Sequence, residues 1–181
     1  MAKKKALTEG EVKSQNLKSV RAWIKKNDSR VKAKPNKTVL YSGRDYDIEN
    51  VIGKNLPDVD RDTFMGTPMY KRLTDKKYLK DHKIPSDFED ITVVLKRLKS
   101  PIIVDKDRID IPFSNANECF SNLKHKPDLF PKPEVEKVWS SLSEIFASNG
   151  QGDIRVLDGA SDDFTKLRGD KDFLRKELKA L

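Results

Sequence analysis

Apolar residues in this chain come in runs of four or five at most, of which Pro101-Ile102-Ile103-Val104 is typical. A membrane span needs about 20 consecutive apolar residues, so no transmembrane helix is expected. The early lysines Lys3, Lys4 and Lys5 are followed by no apolar core, which also argues against a signal peptide. Any core must therefore be assembled from short strands and from one apolar stripe per helix. Of the 181 residues, 36% are hydrophobic and 36% charged, against about 25% charged in an average globular chain. That is lean, yet a chain of this length still buries roughly two-thirds of its unfolded surface, so global disorder is not expected. Cys119 stands alone and excludes an internal disulfide, and with only His82 and His125 beside it the chain is short of ligands for a structural zinc site. The fold stands on packing.

The net charge is +8, from 37 Lys and Arg against 29 Asp and Glu. Basic chains often meet nucleic acid, anionic lipid or another anionic ligand. Here the lysines are spread through every segment and interleaved with acids, so a solvated surface is the simpler account of them.

Residues 1–36 differ from the rest of the chain, with three early lysines, a helical pattern, and a polar stretch around Pro35. Thr8 and Glu11 have capping-box spacing, and Val12, Leu17, Val20, Trp23 and Ile24 then form a narrow stripe, which predicts a helix over about 9–26. This segment reads either as a docking or linker piece or as a helix packed on the main domain through Trp23. The boundary falls near Pro35, leaving 37–181 as the principal domain. Thr38 to Tyr41 reads as a strand ended by Ser42-Gly43, with a helical pattern over 44–54. Pro68 opens a helical pattern through Met69, Tyr70, Leu73, Tyr78 and Leu79, and Phe88, Ile91, Val94, Leu95 and Leu98 repeat as another helix ended before Pro101. Ile102 to Val104 and Ile109 to Phe113 are short strands, the second limited by Pro112. Pro133 opens a helix with Val135, Val138, Trp139, Leu142, Ile145 and Phe146 on one face; Asp153 to Leu157 is a strand, and Phe173 to Leu178 a last one. The expected architecture is α/β or α+β, a helical N-terminal half and a small, mostly parallel C-terminal sheet flanked by helices.

No Gly-rich phosphate loop is present among the eight glycines. Cys119 has no cation or helix start in sequence to activate it, so it reads as inert. His82 and His125 lie in charged, turn-like surroundings; they are exposed loop residues or, paired, the acid and base of a ribonuclease. Glu177 shares a strand face with Phe173 and Arg175. It is either a surface ion-pair partner of Arg175 or Lys176, or a carboxylate directed at a ligand beyond the carboxyl end of a strand.

Three motifs in order resemble the ADP-ribosyl cyclase family of NAD glycohydrolases, and its bacterial toxin members in particular. They are Val39-Leu40-Tyr41-Ser42-Gly43-Arg44, an aromatic-Ser turn after an apolar strand; Thr63-Phe64-Met65-Gly66-Thr67-Pro68, a loose match to a Thr-Leu-Glu-Asp-Thr segment; and the helix Trp139 to Ala147 followed by the strand Ile154 to Gly159. Glu177, with Phe173 four residues before it, stands where the family has its catalytic glutamate. The resemblance covers about residues 38–178.

The resemblance implies an ADP-ribosyl cyclase-like fold and a toxin domain that cleaves the nicotinamide–ribose bond of NAD as substrate, with no further cofactor and no metal. Glu177 would be catalytic, and Tyr41, Ser42, Gly43, Arg44, Thr67 and Phe173 would bind substrate. Met65-Gly66 replaces the family's acidic pair, which favours hydrolysis over cyclisation. The family's second active-site tryptophan has no equivalent, leaving Tyr70, Tyr78 and Phe113 as candidates to stack on nicotinamide. The resemblance further implies delivery within a larger secreted effector, action in the cytoplasm of a target bacterium and a cognate, acidic immunity protein, without membrane insertion or nucleic-acid binding. The alternatives are a basic RNase toxin using His82 and His125, or a non-enzymatic nucleic-acid or protein-binding module.

Overall fold

The computed structural model describes residues 4–41 and 74–157, together with Ala180. Tyr41, Val156 and Leu157 are described by their backbone. The fold is mixed α/β, with helices, a small parallel sheet and a small antiparallel one. The chain forms two compact units, one from Met1–Lys32 and Ile91–Ile145, the other from Ala33–Asp90 and Phe146–Leu181. Each is discontinuous in sequence, and the chain first passes between them at Lys32 and Ala33.

The first unit begins with α1, Glu9–Asn27. Thr8 caps it as the spacing predicts, its hydroxyl accepting from the Glu11 amide at 3.2 Å while the Glu11 carboxylate accepts from the Thr8 amide at 2.8 Å. The buried line is Val12, Asn16 and Val20, spaced by four. Leu17, which the sequence pattern counts in the core stripe, is only half-buried. Asn16 takes the inner position instead, where its amide donates to the Val104 and Leu129 carbonyls at 2.9 and 2.8 Å and accepts from the Val104 amide at 2.9 Å. A buried amide with its partners in place is tolerated in a core where an unpaired one is not. Trp23 is half-buried; its indole N–H donates to the Lys99 carbonyl at 2.8 Å, and its ring meets Phe120 edge-on at 5.2 Å. The helix runs into a 3-10 turn, Asp28–Arg30.

The strands Ile103–Val104 and Asp110–Ile111 form an antiparallel hairpin. Asp105 builds its turn, its carboxylate accepting from the amides of Asp107 and Ile109, both at 2.9 Å. The helix expected over 88–98 is shorter, Ile91–Lys96. Tertiary pairing explains the difference: the Glu89 amide donates to the Lys37 carbonyl at 2.7 Å and its carbonyl accepts from Val39 at 3.1 Å, so residue 89 is held extended beside the first strand. The helix Ala116–Leu123 has no counterpart in the sequence pattern. Its inner face of Ala116, Cys119, Phe120 and Leu123 is completely covered, but two of those four are small. Asn115 caps it, accepting from Glu118 at 2.9 Å. The long helix Lys132–Ser148 follows, burying Val135, Val138 and Leu142 at the expected spacing. Trp139, expected in the core, is half-buried and meets Phe120 at 6.3 Å.

In the second unit, strand Thr38–Tyr41 pairs in parallel with strand Ile154–Leu157, Thr38 opposite Ile154 and Tyr41 opposite Leu157. A short helix, Lys76–Asp81, is capped by Asp75. Its Leu79 packs with Val39 and Ile84, with Tyr78 and Phe88 against them. Phe146 and Ala147, at the end of the long helix, are buried in this unit. The patterns over 44–54 and 173–178 lie outside the described residues, as does most of the one that Pro68 opens.

Candidate active site at the carboxyl edge of the parallel sheet

The register of the parallel sheet is set from its amino end. Asn36 carries a left-handed backbone, φ 64°, its amide donating to Gln151 at 2.8 Å while its side-chain carbonyl accepts from Asp153 at 2.8 Å. Gly152 has φ 71°, and a Cβ there would stand 2.1 Å from the Asn36 Oδ1, so glycine is required both for the dihedral and for the approach. Arg155 then bridges two turns, its guanidinium donating to the Lys83 carbonyl at 2.7 Å and to the Asn36 carbonyl at 3.1 Å. Lys83 is itself left-handed, φ 53°. Residues whose backbones fit only this arrangement thus hold both strands in one alignment. The register consequently sets Tyr41 opposite Leu157.

Beside the first strand two consecutive acids, Glu89 and Asp90, are buried. The Glu89 carboxylate accepts from the Lys34 amide at 2.8 Å. Thr38 is fully buried between the Glu89 backbone on one side and Ile154 on the other, and its hydroxyl has no hydrogen-bond partner among the described residues. The sequence pattern gives these acids no role. Their only signal is an acidic pair set inside the apolar repeat from Phe88 to Leu98.

Of the residues singled out from sequence, Tyr41 is the last residue of its strand and is placed by its backbone. Glu177, Phe173, Ser42, Gly43, Arg44 and Thr67 lie outside the described residues, and so does Tyr70. Tyr78 is half-buried on the Val39 cluster, with the His82 ring stacked on it at 3.9 Å and 26°. That imidazole is exposed, and its Nδ1 lies 2.9 Å from the Tyr78 carbonyl oxygen, which only accepts, so Nδ1 carries the hydrogen. Phe113 and His125 belong to the other unit; Lys126 lies over the Phe113 ring at 5.9 Å, and His125 is exposed in the turn after the helix Ala116–Leu123. Cys119 is fully buried, and desolvation, with the Glu118 charge beside it, pushes its thiol up to about 12. It is therefore protonated at neutral pH and no nucleophile.

Among the described residues no group of three or more His, Cys, Asp or Glu is arranged to hold a metal ion, and no helix is long and apolar enough to cross a membrane. Compared with protein-family models, with curated proteins and with solved structures, the chain matches none.

Proposed function

We propose that the chain is a bacterial toxin domain that hydrolyses the nicotinamide–ribose bond of NAD. The observation that carries the reading is the parallel pairing of two strands in a register that sets Tyr41 opposite Leu157, so that both run toward the same edge of the sheet. In open α/β sheets, ligands collect outside the carboxyl ends of the strands. Two of the stretches that resemble the NAD glycohydrolases, Val39 to Arg44 and Ile154 to Gly159, supply the paired residues 39–41 and 155–157.

The chemistry asks little of the protein. As the bond between ribose C1′ and the pyridinium nitrogen breaks, its electron pair returns to the nitrogen and nicotinamide leaves neutral, so no general acid is needed. Positive, oxocarbenium-like charge develops on the sugar, and a carboxylate beside it stabilises the transition state more than the ground state. Water then adds at C1′ and loses a proton. Glu177 is assigned to that carboxylate, which would also hold the ribose hydroxyls. Tyr41 stacks on the pyridinium or ribose, Ser42, Gly43 and Arg44 bind pyrophosphate through charge-assisted hydrogen bonds, and Phe173 and Thr67 line the pocket. The same reading has the domain delivered within a larger secreted effector into the cytoplasm of a target bacterium, its producer protected by an acidic immunity protein.

The test is turnover of an etheno-NAD analogue by the purified chain, beside an incubation with total RNA. Fluorescence from the cleaved analogue is expected, with a fall of about a hundredfold or more for Glu177→Gln, which keeps the shape and removes the charge. Full activity in that variant overturns the site assignment. Cleavage of RNA without NAD turnover overturns the reaction.

A further inference from the structure

The outward face of α1 carries an open hollow of about 410 Å³ lined by Ser14, Leu17, Lys18, Arg21, Ala22 and Lys25. These positions recur at three- and four-residue intervals over about 16 Å of helix, the face opposite Val12, Asn16 and Val20. Three of the six are cations and none is an acid. Among the described residues the acid paired with them is Glu134 on the long helix, and it is shared: the Arg21 guanidinium lies 3.0 Å from one carboxylate oxygen and the Lys137 ammonium 3.1 Å from the other. Lys18 and Lys25 have no ion-pair partner among the described residues. Among the described residues, Lys18, Arg21, Lys25 and Lys137 against the single Glu134 carboxylate leave this face positive. Its floor is apolar, because Leu17, drawn off the core stripe by Asn16, is half-exposed there beside Ala22.

We propose that this face of α1 docks an acidic segment of a partner protein, one apolar side chain seated on Leu17 and Ala22 and flanking carboxylates on Lys18, Arg21 and Lys25. Arg21 keeps guanidinium N–H donors to spare beyond the one facing Glu134. Apolar anchors supply affinity, and surrounding charges supply encounter rate and register. A nucleic-acid strand fits the face less well, since among the described residues no aromatic side chain lines the hollow to stack a base and its floor of Leu17 and Ala22 is apolar. The surface belongs to the first unit, so the proposal stands whether or not NAD is the substrate.

The experiment is fluorescence anisotropy of the full chain with a labelled synthetic peptide in which glutamates flank a single leucine, at physiological salt. Binding is expected to weaken roughly tenfold when Lys18→Glu and Lys25→Glu are combined, and by about threefold or more for Leu17→Ser or when the peptide leucine becomes serine. Melting curves check that each variant folds; Lys18→Gln with Lys25→Gln replaces the reversal if it does not. The proposal is overturned by a peptide that does not bind, by binding indifferent to these changes, by equal binding of the leucine-free peptide, or by tighter binding of an RNA oligonucleotide of equal charge through the same lysines.

Discussion

Asn16 shows how one polar side chain can be worth more to a core than the leucine next to it. Its amide closes three hydrogen bonds to the backbones of Val104 and Leu129, all inside the first unit. Replacing it with leucine leaves the Val104 N–H and two carbonyls without those partners in a buried place, and each such group costs about 1–3 kcal/mol. Asn16→Leu is therefore expected to lower stability by about 3 kcal/mol or more in urea unfolding, despite raising the hydrophobicity of the helix. Cys119 gives a pH dependence of definite sign. Its thiol goes from an ordinary value of 9.0 to about 12 on folding. The folded state holds the proton more tightly, so the contribution is fully present below pH 9 and is lost as pH rises toward 12. Alkaline titration of stability should show a downward slope across that window that Cys119→Ala flattens. In the same protein a thiol reagent at pH 8 should label Cys119 only after unfolding.

The helices and strands owe their limits to caps and turns as much as to apolar spacing. The Thr8 and Glu11 box at the start of α1 holds the Glu11 carboxyl below its usual range through the hydrogen bonds from Thr8. A depressed carboxylate contributes stability above its unfolded pKa and loses it as pH falls through the folded value. Thr8→Ala is expected to cost about 0.5–2 kcal/mol near neutral pH, read by thermal unfolding, and less once Glu11 is protonated. Glu118 is held low in the same direction by Ser114, and Glu134 by Lys137 and Arg21. The turn between Asn36 and Gly152 acts on the parallel sheet. Gly152→Ala meets both a left-handed backbone and the Asn36 side chain, and roughly 1–3 kcal/mol of destabilisation is expected. Amide exchange should locate that loss in the strands Thr38–Tyr41 and Ile154–Leu157.

Both units are closed by segments distant in sequence, which changes what a truncation does. The first 32 residues supply Val12, Asn16, Val20 and Val31 to the buried interior of the first unit. A chain beginning at residue 33 is expected to lose its near-ultraviolet signal and cooperative melting in that unit, since Ile103, Val104 and Phe120 would be uncovered. An unchanged melt would show that the segment is a detachable appendage.

Local information in the sequence determined the long helices, because Thr8 with Glu11 and the repeat from Val135 to Phe146 depend only on neighbours within a turn or two. The strands Thr38–Tyr41 and Ile154–Leu157 were legible for the same reason, as apolar runs stopped by Gly43 and by Asp158-Gly159. The aromatic-Ser motif at Tyr41 and the Gly159 strand motif could be marked, but the parallel pairing of the strands Thr38–Tyr41 and Ile154–Leu157 could not, since it joins positions 116 apart (154 minus 38). The same holds for Glu89, whose pairing with the first strand shortened the expected helix, and for Leu17, turned outward because Asn16 found partners on Val104 and Leu129. Periodicity records which residues prefer to leave water; which backbone groups lie within reach to accept a buried amide or extend a strand is decided only when distant segments come together.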